Sequence, residues 1–113
     1  MKTPYLDKIT KLLKQVRPRL AVQYQLEFKN VFGAIGGYLN GNIFISCGQF
    51  GVALRLPPKT IDGLFQENRI KHLKYFPKGH TKKEYAVLSK PILEDKILLK
   101  KLVDESINHA LSL

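Results

Sequence analysis

The sequence predicts an α+β fold: a single antiparallel sheet of five to six strands with helices packed on one face, in the order α-β-β-β-β-α-β-β-α. Three observations predict it. Apolar residues recur at helical spacing near both ends of the chain, and through the middle they alternate with period two. The turns between the middle runs are so short that the strands they join must be antiparallel. Helices segregated to one side of such a sheet bury both patterns at once.

The first helix is expected from Thr3-Pro4, a capping residue followed by proline at the first helical position, where its missing N–H costs nothing. Tyr5, Ile9, Leu12, Leu13 and Val16 form its apolar side, Lys8, Lys11 and Lys14 its polar side, and it ends before Pro18. From Val22 the period changes: Tyr24, Leu26 and Phe28 alternate with Gln23, Gln25 and Glu27, as in a half-buried strand. Asn40-Gly41 then joins Phe32-Gly33-Ala34-Ile35-Gly36-Gly37-Tyr38-Leu39 to Asn42-Ile43-Phe44-Ile45-Ser46-Cys47. Both turn residues tolerate positive φ, which makes this the strongest short hairpin signal in the chain. Gly48-Gln49-Phe50-Gly51 is a second turn, and Val52-Ala53-Leu54-Arg55-Leu56 the next strand. Pro57-Pro58 opens a short helix whose apolar face is Ile61, Leu64 and Phe65, with Asn68 as its stop. Residues 70–76 and 84–88 read as two further strands joined by a lysine-rich loop. After Pro91 breaks the chain, Asp95 caps a long last helix whose inward side carries Leu99, Leu102, Val103, Ser106 and Ala110.

At 113 residues, 44% hydrophobic and 25% charged, the chain has the size and balance of one globular domain, residues 1–113. Its single cysteine, Cys47, excludes an internal disulfide and fits a reducing compartment. Charges interrupt the N-terminus, so no signal-peptide core follows, and no run approaches the roughly 20 apolar residues of a membrane span. A cytoplasmic location without membrane attachment is therefore expected. The N-terminal helix could in principle lie on a membrane, but its apolar stripe has a sheet to cover.

The net charge is +10 and unevenly spread. Residues 1–20 hold six Lys/Arg against Asp7, residues 21–68 balance, and residues 69–90 hold Arg69, Lys71, Lys74, Lys78, Lys82, Lys83 and Lys90 against Glu84. In the second block cations are interleaved with Leu73, Tyr75 and Phe76, the minimal footprint of a nucleic-acid surface. Arg69, Lys71, Lys74, Lys78, Lys82 and Lys83 are the residues that would carry it. The competing reading is a lysine-rich strand pair whose edge cations keep other chains from pairing.

Val31-Phe32-Gly33-Ala34-Ile35-Gly36-Gly37-Tyr38-Leu39-Asn40-Gly41-Asn42-Ile43-Phe44 resembles the signature of the N-terminal domain of the TfoX/Sxy competence regulators. Val52-Ala53-Leu54-Arg55-Leu56 looks like that family's next strand, and Lys78-Gly79 through Lys83-Glu84-Tyr85-Ala86-Val87-Leu88 like its late strand segment. The resemblance covers roughly residues 5–112. Val31 stands where Met is usual, Ala34 where a second glycine is usual, Lys82 where Met is usual and Glu84 where Gly is usual. The resemblance implies one antiparallel sheet and a link to the regulation of competence and DNA-uptake genes.

No catalytic residue, metal or cofactor is expected. The glycines Gly33, Gly36, Gly37 and Gly41 lie between strands without the following helix that a phosphate loop needs, and read as tight bends and close approaches. Cys47 with His72 or His80 would be the only nucleophile-base set, yet Cys47 ends an apolar strand, where a thiol is a small buried hydrophobe. His72, His80 and His109 have no metal-ligand spacing. Glu94-Asp95 suits a helix start, and Asp104-Glu105 can pair with Lys100-Lys101. The expected function is thus non-catalytic: a regulatory or adaptor domain acting through its basic surface. Its rivals are a protein-interaction or homodimerisation domain, using a sheet face or the last helix through Leu98, Ile107 and Leu111, and a small enzyme built on Cys47.

Overall fold

The structure, a computed structural model, describes residues 3–74 and 82–113. Helix α1 spans Thr3–Val16 and buries Ile9, Leu12, Leu13 and Val16 at the expected spacing. Pro18 stops it, and a single turn, α2 (Leu20–Gln23), follows with Leu20 buried. The expected first strand therefore begins later: Val22 and Gln23 are helical, and β1 spans Leu26–Val31. Then come β2 (Ala34–Leu39), β3 (Asn42–Gly48), β4 (Gly51–Arg55), α3 (Pro58–Gln66), β5 (Ile70–Leu73), β6 (Lys82–Leu88), α4 (Lys90–Glu94) and α5 (Lys96–Leu111). Pro91 does not break the chain. It sits in the first turn of α4, where proline is tolerated.

The six strands form one antiparallel sheet in the order β1-β2-β3-β4-β6-β5. The first four form a meander, and α3 carries the chain past the position of β6 to the far edge. Two turns have positive φ at both central residues, Phe32-Gly33 (φ 49 and 84) and Asn40-Gly41 (φ 50 and 88), which matches the twist of tight hairpins. Asn68, the expected stop of α3, takes φ 56, and the Arg69 N–H closes the helix end by donating to the Leu64 carbonyl at 3.1 Å. Asp95 caps α5, accepting from the Leu98 N–H at 3.1 Å.

The core lies between the sheet and the helices, all on one face, and joins Ile9, Leu13 and Val16 of α1 to Phe44, Ile45 and Leu54 of the sheet and to Leu99, Leu102 and Val103 of α5. One irregularity is built into it. Gly37 pairs with Ile45 and Tyr38 with Ile43, so Phe44 is an extra residue in β3, a β-bulge that turns its fully buried ring inward. The Ser106 hydroxyl of α5 donates to the Phe44 carbonyl at 2.6 Å, satisfying a group that the bulge takes out of the ladder. A side chain on Gly37 would meet Ile45 Cγ2 at 2.7 Å, so the bulge also explains this glycine.

Candidate nucleic-acid interface

Paired residues on neighbouring strands point to the same side of a sheet, and successive residues along a strand to opposite sides. Phe28, Gly37, Ile45, Leu54, Ala86 and His72 form one paired row across all six strands. This row faces the helices. One residue along each strand runs a second row, Lys29, Gly36, Ser46, Ala53, Val87 and Lys71, on the outer face. A lysine stands at each end, about 24 Å apart at the usual strand spacing, with small residues between.

The middle of this outer row is nonetheless buried, with Ser46 and Ala53 both at 0% exposure. Larger neighbours lean over the adjacent glycines: a Cβ on Gly36 would lie 3.0 Å from Ile43 Cδ1 and 3.1 Å from Tyr38 Cε1, and one on Gly48 2.8 Å from the Phe50 ring. The outer face is closed at its centre; one hollow opens on it, and a second lies at the edge of the sheet, where residues of the outer face meet Phe65 of α3.

The first hollow, about 350 Å³, is lined by Phe32, Tyr38 and Tyr85 together with Arg55, Lys82 and Glu84. Phe32 is held out by its turn and is 65% exposed. Arg55 donates to Glu84 Oε2 at 3.0 Å, while its buried Nε has no partner among the described residues. Lys29 Nζ stands 5.0 Å from the centroid of the Tyr38 ring, a cation–π distance. The second hollow, about 600 Å³, is lined by Phe50, Phe65, Asn68, Arg69, Lys71 and Val87, among others. Phe65 stacks on His72 with centroids 4.5 Å apart, and the Arg69 guanidinium lies 3.7 Å from Glu67.

The residues expected to form the basic surface are thus divided. Arg69 and Lys71 line the second hollow and Lys82 the first. Lys74, just past β5, and Lys83 in β6 are exposed. Lys78, Tyr75, Phe76 and His80 lie outside the described residues. A bulge between His72 and Leu73 ends the simple alternation of β5 and leaves Leu73 buried rather than beside the exposed Lys71. The N-terminal basic block does not line either hollow: Lys8, Lys11 and Lys14 are exposed on α1, which packs on the helix-covered side of the sheet. Because β5 is an edge strand, Lys71 and Lys74 also stand where lysines deter pairing by other chains. Lys29, Arg55, Phe32, Tyr38 and Tyr85 were not singled out from sequence. The alternation Glu27, Phe28, Lys29 held the signal for Lys29, since its neighbour Phe28 packs on the core.

Cys47 is fully buried on the helix-covered face of β3. Burial pushes its thiol up, and the opposing charge of Lys8 does not reverse this, so the nucleophilic thiolate is disfavoured. His72, on β5, is three strands away, with β4 and β6 between. Among the described residues no group of three His, Cys, Asp or Glu is placed to hold a metal ion, and no helix is long and apolar enough to cross a membrane. On α5, Ile107 is buried at 1% exposure and Leu98 and Leu111 pack against the core, so these three offer no apolar docking face. The sequence matches no protein-family model and no curated protein.

Proposed function

We propose that this chain is a non-catalytic regulatory or adaptor domain of the TfoX/Sxy N-terminal kind, and that it binds nucleic acid on the outer face of its sheet. The observation that carries this reading is the pairing of cations with aromatic rings at both hollows: Lys29 and Lys82 near Phe32, Tyr38 and Tyr85, and Arg69 and Lys71 near Phe50 and Phe65. Cations neutralise phosphates and release their counterions, while ring faces stack on unpaired bases. A strand lying along the outer row would meet a lysine at each end. The glycine-rich hairpin run and the single sheet support the TfoX-like reading, and with it a role in regulating competence genes in the cytoplasm. The inaccessible Cys47 supports a non-catalytic role.

The test is fluorescence anisotropy with labelled single- and double-stranded DNA across a salt series. The reading predicts binding whose log K falls against log salt with a slope of about −3, as for three or four neutralised phosphates. Absence of binding at low salt overturns it.

A further inference from the structure

The two edges of the sheet differ in how they meet solvent. β5 is four residues long, carries a bulge, and has exposed Lys71 and Lys74 on and just past it, all devices that block pairing. β1 is six residues long and pairs with β2 in unbroken register. Among the described residues it has no neighbour on its other side.

The direction of its free backbone groups follows from the hairpin. The two-residue turn Phe32-Gly33 makes Val31 and Ala34 a hydrogen-bonded pair, so Val31, Lys29 and Glu27 turn their N–H and C=O toward β2. Gln25 continues this phase, its carbonyl accepting from the Asn40 N–H at 3.0 Å. Leu26, Phe28 and Asn30 therefore turn theirs outward.

We infer that β1 is a homodimer interface: the β1 strands of two copies pair antiparallel about a two-fold axis at Phe28. In that register the outward groups of Phe28 meet those of Phe28 in the second copy, and Leu26 meets Asn30, closing about six backbone hydrogen bonds. Side chains agree with the same axis. Glu27 comes opposite Lys29 of the other copy, twice by symmetry, on the outer face where both are exposed. Slips by two residues keep the backbone pairing but set Glu27 opposite Glu27 or Lys29 opposite Lys29, so the charges select one register among those that the backbone permits. The second copy is the occupant because the strand is complementary to itself. The inference does not rest on nucleic-acid binding, although Lys29 belongs to both surfaces.

Sedimentation velocity over a concentration series up to about 1 mM tests it. The expected result is a reversible monomer–dimer equilibrium. Glu27→Lys and Lys29→Glu each put like charges opposite each other and weaken the dimer about tenfold, and the double exchange restores it. A chain that stays monomeric throughout, or a dimer indifferent to these changes, overturns the inference. Hydrogen exchange gives a readout without mutation. The amides of Leu26, Phe28 and Asn30 become protected as concentration rises, while Glu27 and Lys29, already bonded to β2, do not change. Equal behaviour of the two sets contradicts the pairing.

Discussion

Two rows of residues, one step apart on the same six strands, have opposite fates. The inner row, Phe28-Gly37-Ile45-Leu54-Ala86-His72, is covered by helices and sends Ile45, Leu54 and Ala86 into the core, with Phe28 packed against it. The outer row, Lys29-Gly36-Ser46-Ala53-Val87-Lys71, has lysines at its ends and residues too small to build a second core between them. The difference separates the work of the two faces. Stability resides on the inner side, where large apolar side chains leave water. On the proposed reading recognition falls to the outer rim, where exposed charges can be changed with the packing left intact.

The comparison breaks first on the inner side. Phe44→Ala removes a fully buried ring at the bulge and is expected to lower stability by about 3–5 kcal/mol in urea unfolding. A loss below about 1 kcal/mol would show that the bulge does not anchor the core. Ser106→Ala leaves the Phe44 carbonyl without its donor and is expected to cost about 1–3 kcal/mol in the same measurement.

Smaller effects sharpen the picture at the edge of the helix layer. Arg17 of the α1–α2 junction donates to Asp104 of α5 at 2.8 Å, and Lys100 to the same carboxylate at 2.8 Å. Burial opposes ionisation of Asp104, but hydrogen bonds from Lys100 and Arg17, with their charges, outweigh it and hold the carboxyl below its usual range. A carboxylate with a depressed pKa contributes stability above its unfolded value, about pH 4, and loses it as pH falls through the folded value. Asp104→Asn should therefore lower the melting temperature slightly at pH 7 and flatten its fall in acid. An unchanged acid limb would rule out this contribution. Cys47 should remain unmodified by a thiol reagent in the folded protein and react only on unfolding, and rapid labelling of the native state would contradict its burial.

Most of the architecture was legible where local chemistry leaves little choice. Asn40-Gly41, Asn68 and Asp95 each do what their backbone or side chain favours. The elements that were misread are short. Val22 in α2 and Tyr24 just past it continue the alternation of β1, so a four-residue helix looks like the start of a strand. At α4, Pro91 opens a turn of helix, though a proline equally suits a break. The candidate surface was only partly legible, for a physical reason. Strands β2 to β4 carry small or apolar residues on both faces, so alternation identifies neither side, and only β1 separates Leu26 and Phe28 from Glu27 and Lys29. The placement of β6 between β4 and β5 lies in long-range pairing and has no local signature.

The division of labour between the faces is tested most directly by DNA-binding anisotropy at low salt on three proteins: wild type, Lys71→Glu/Lys82→Glu on the outer side and Lys11→Glu/Lys14→Glu on α1. Both variants make the same change in net charge, and all four lysines are exposed. The account predicts that the outer pair weakens binding at least tenfold with stability within about 0.5 kcal/mol of wild type, while the α1 pair binds nearly as wild type. Equal losses in the two variants would mean that net charge alone attracts the DNA and that the outer face has no special part in recognition.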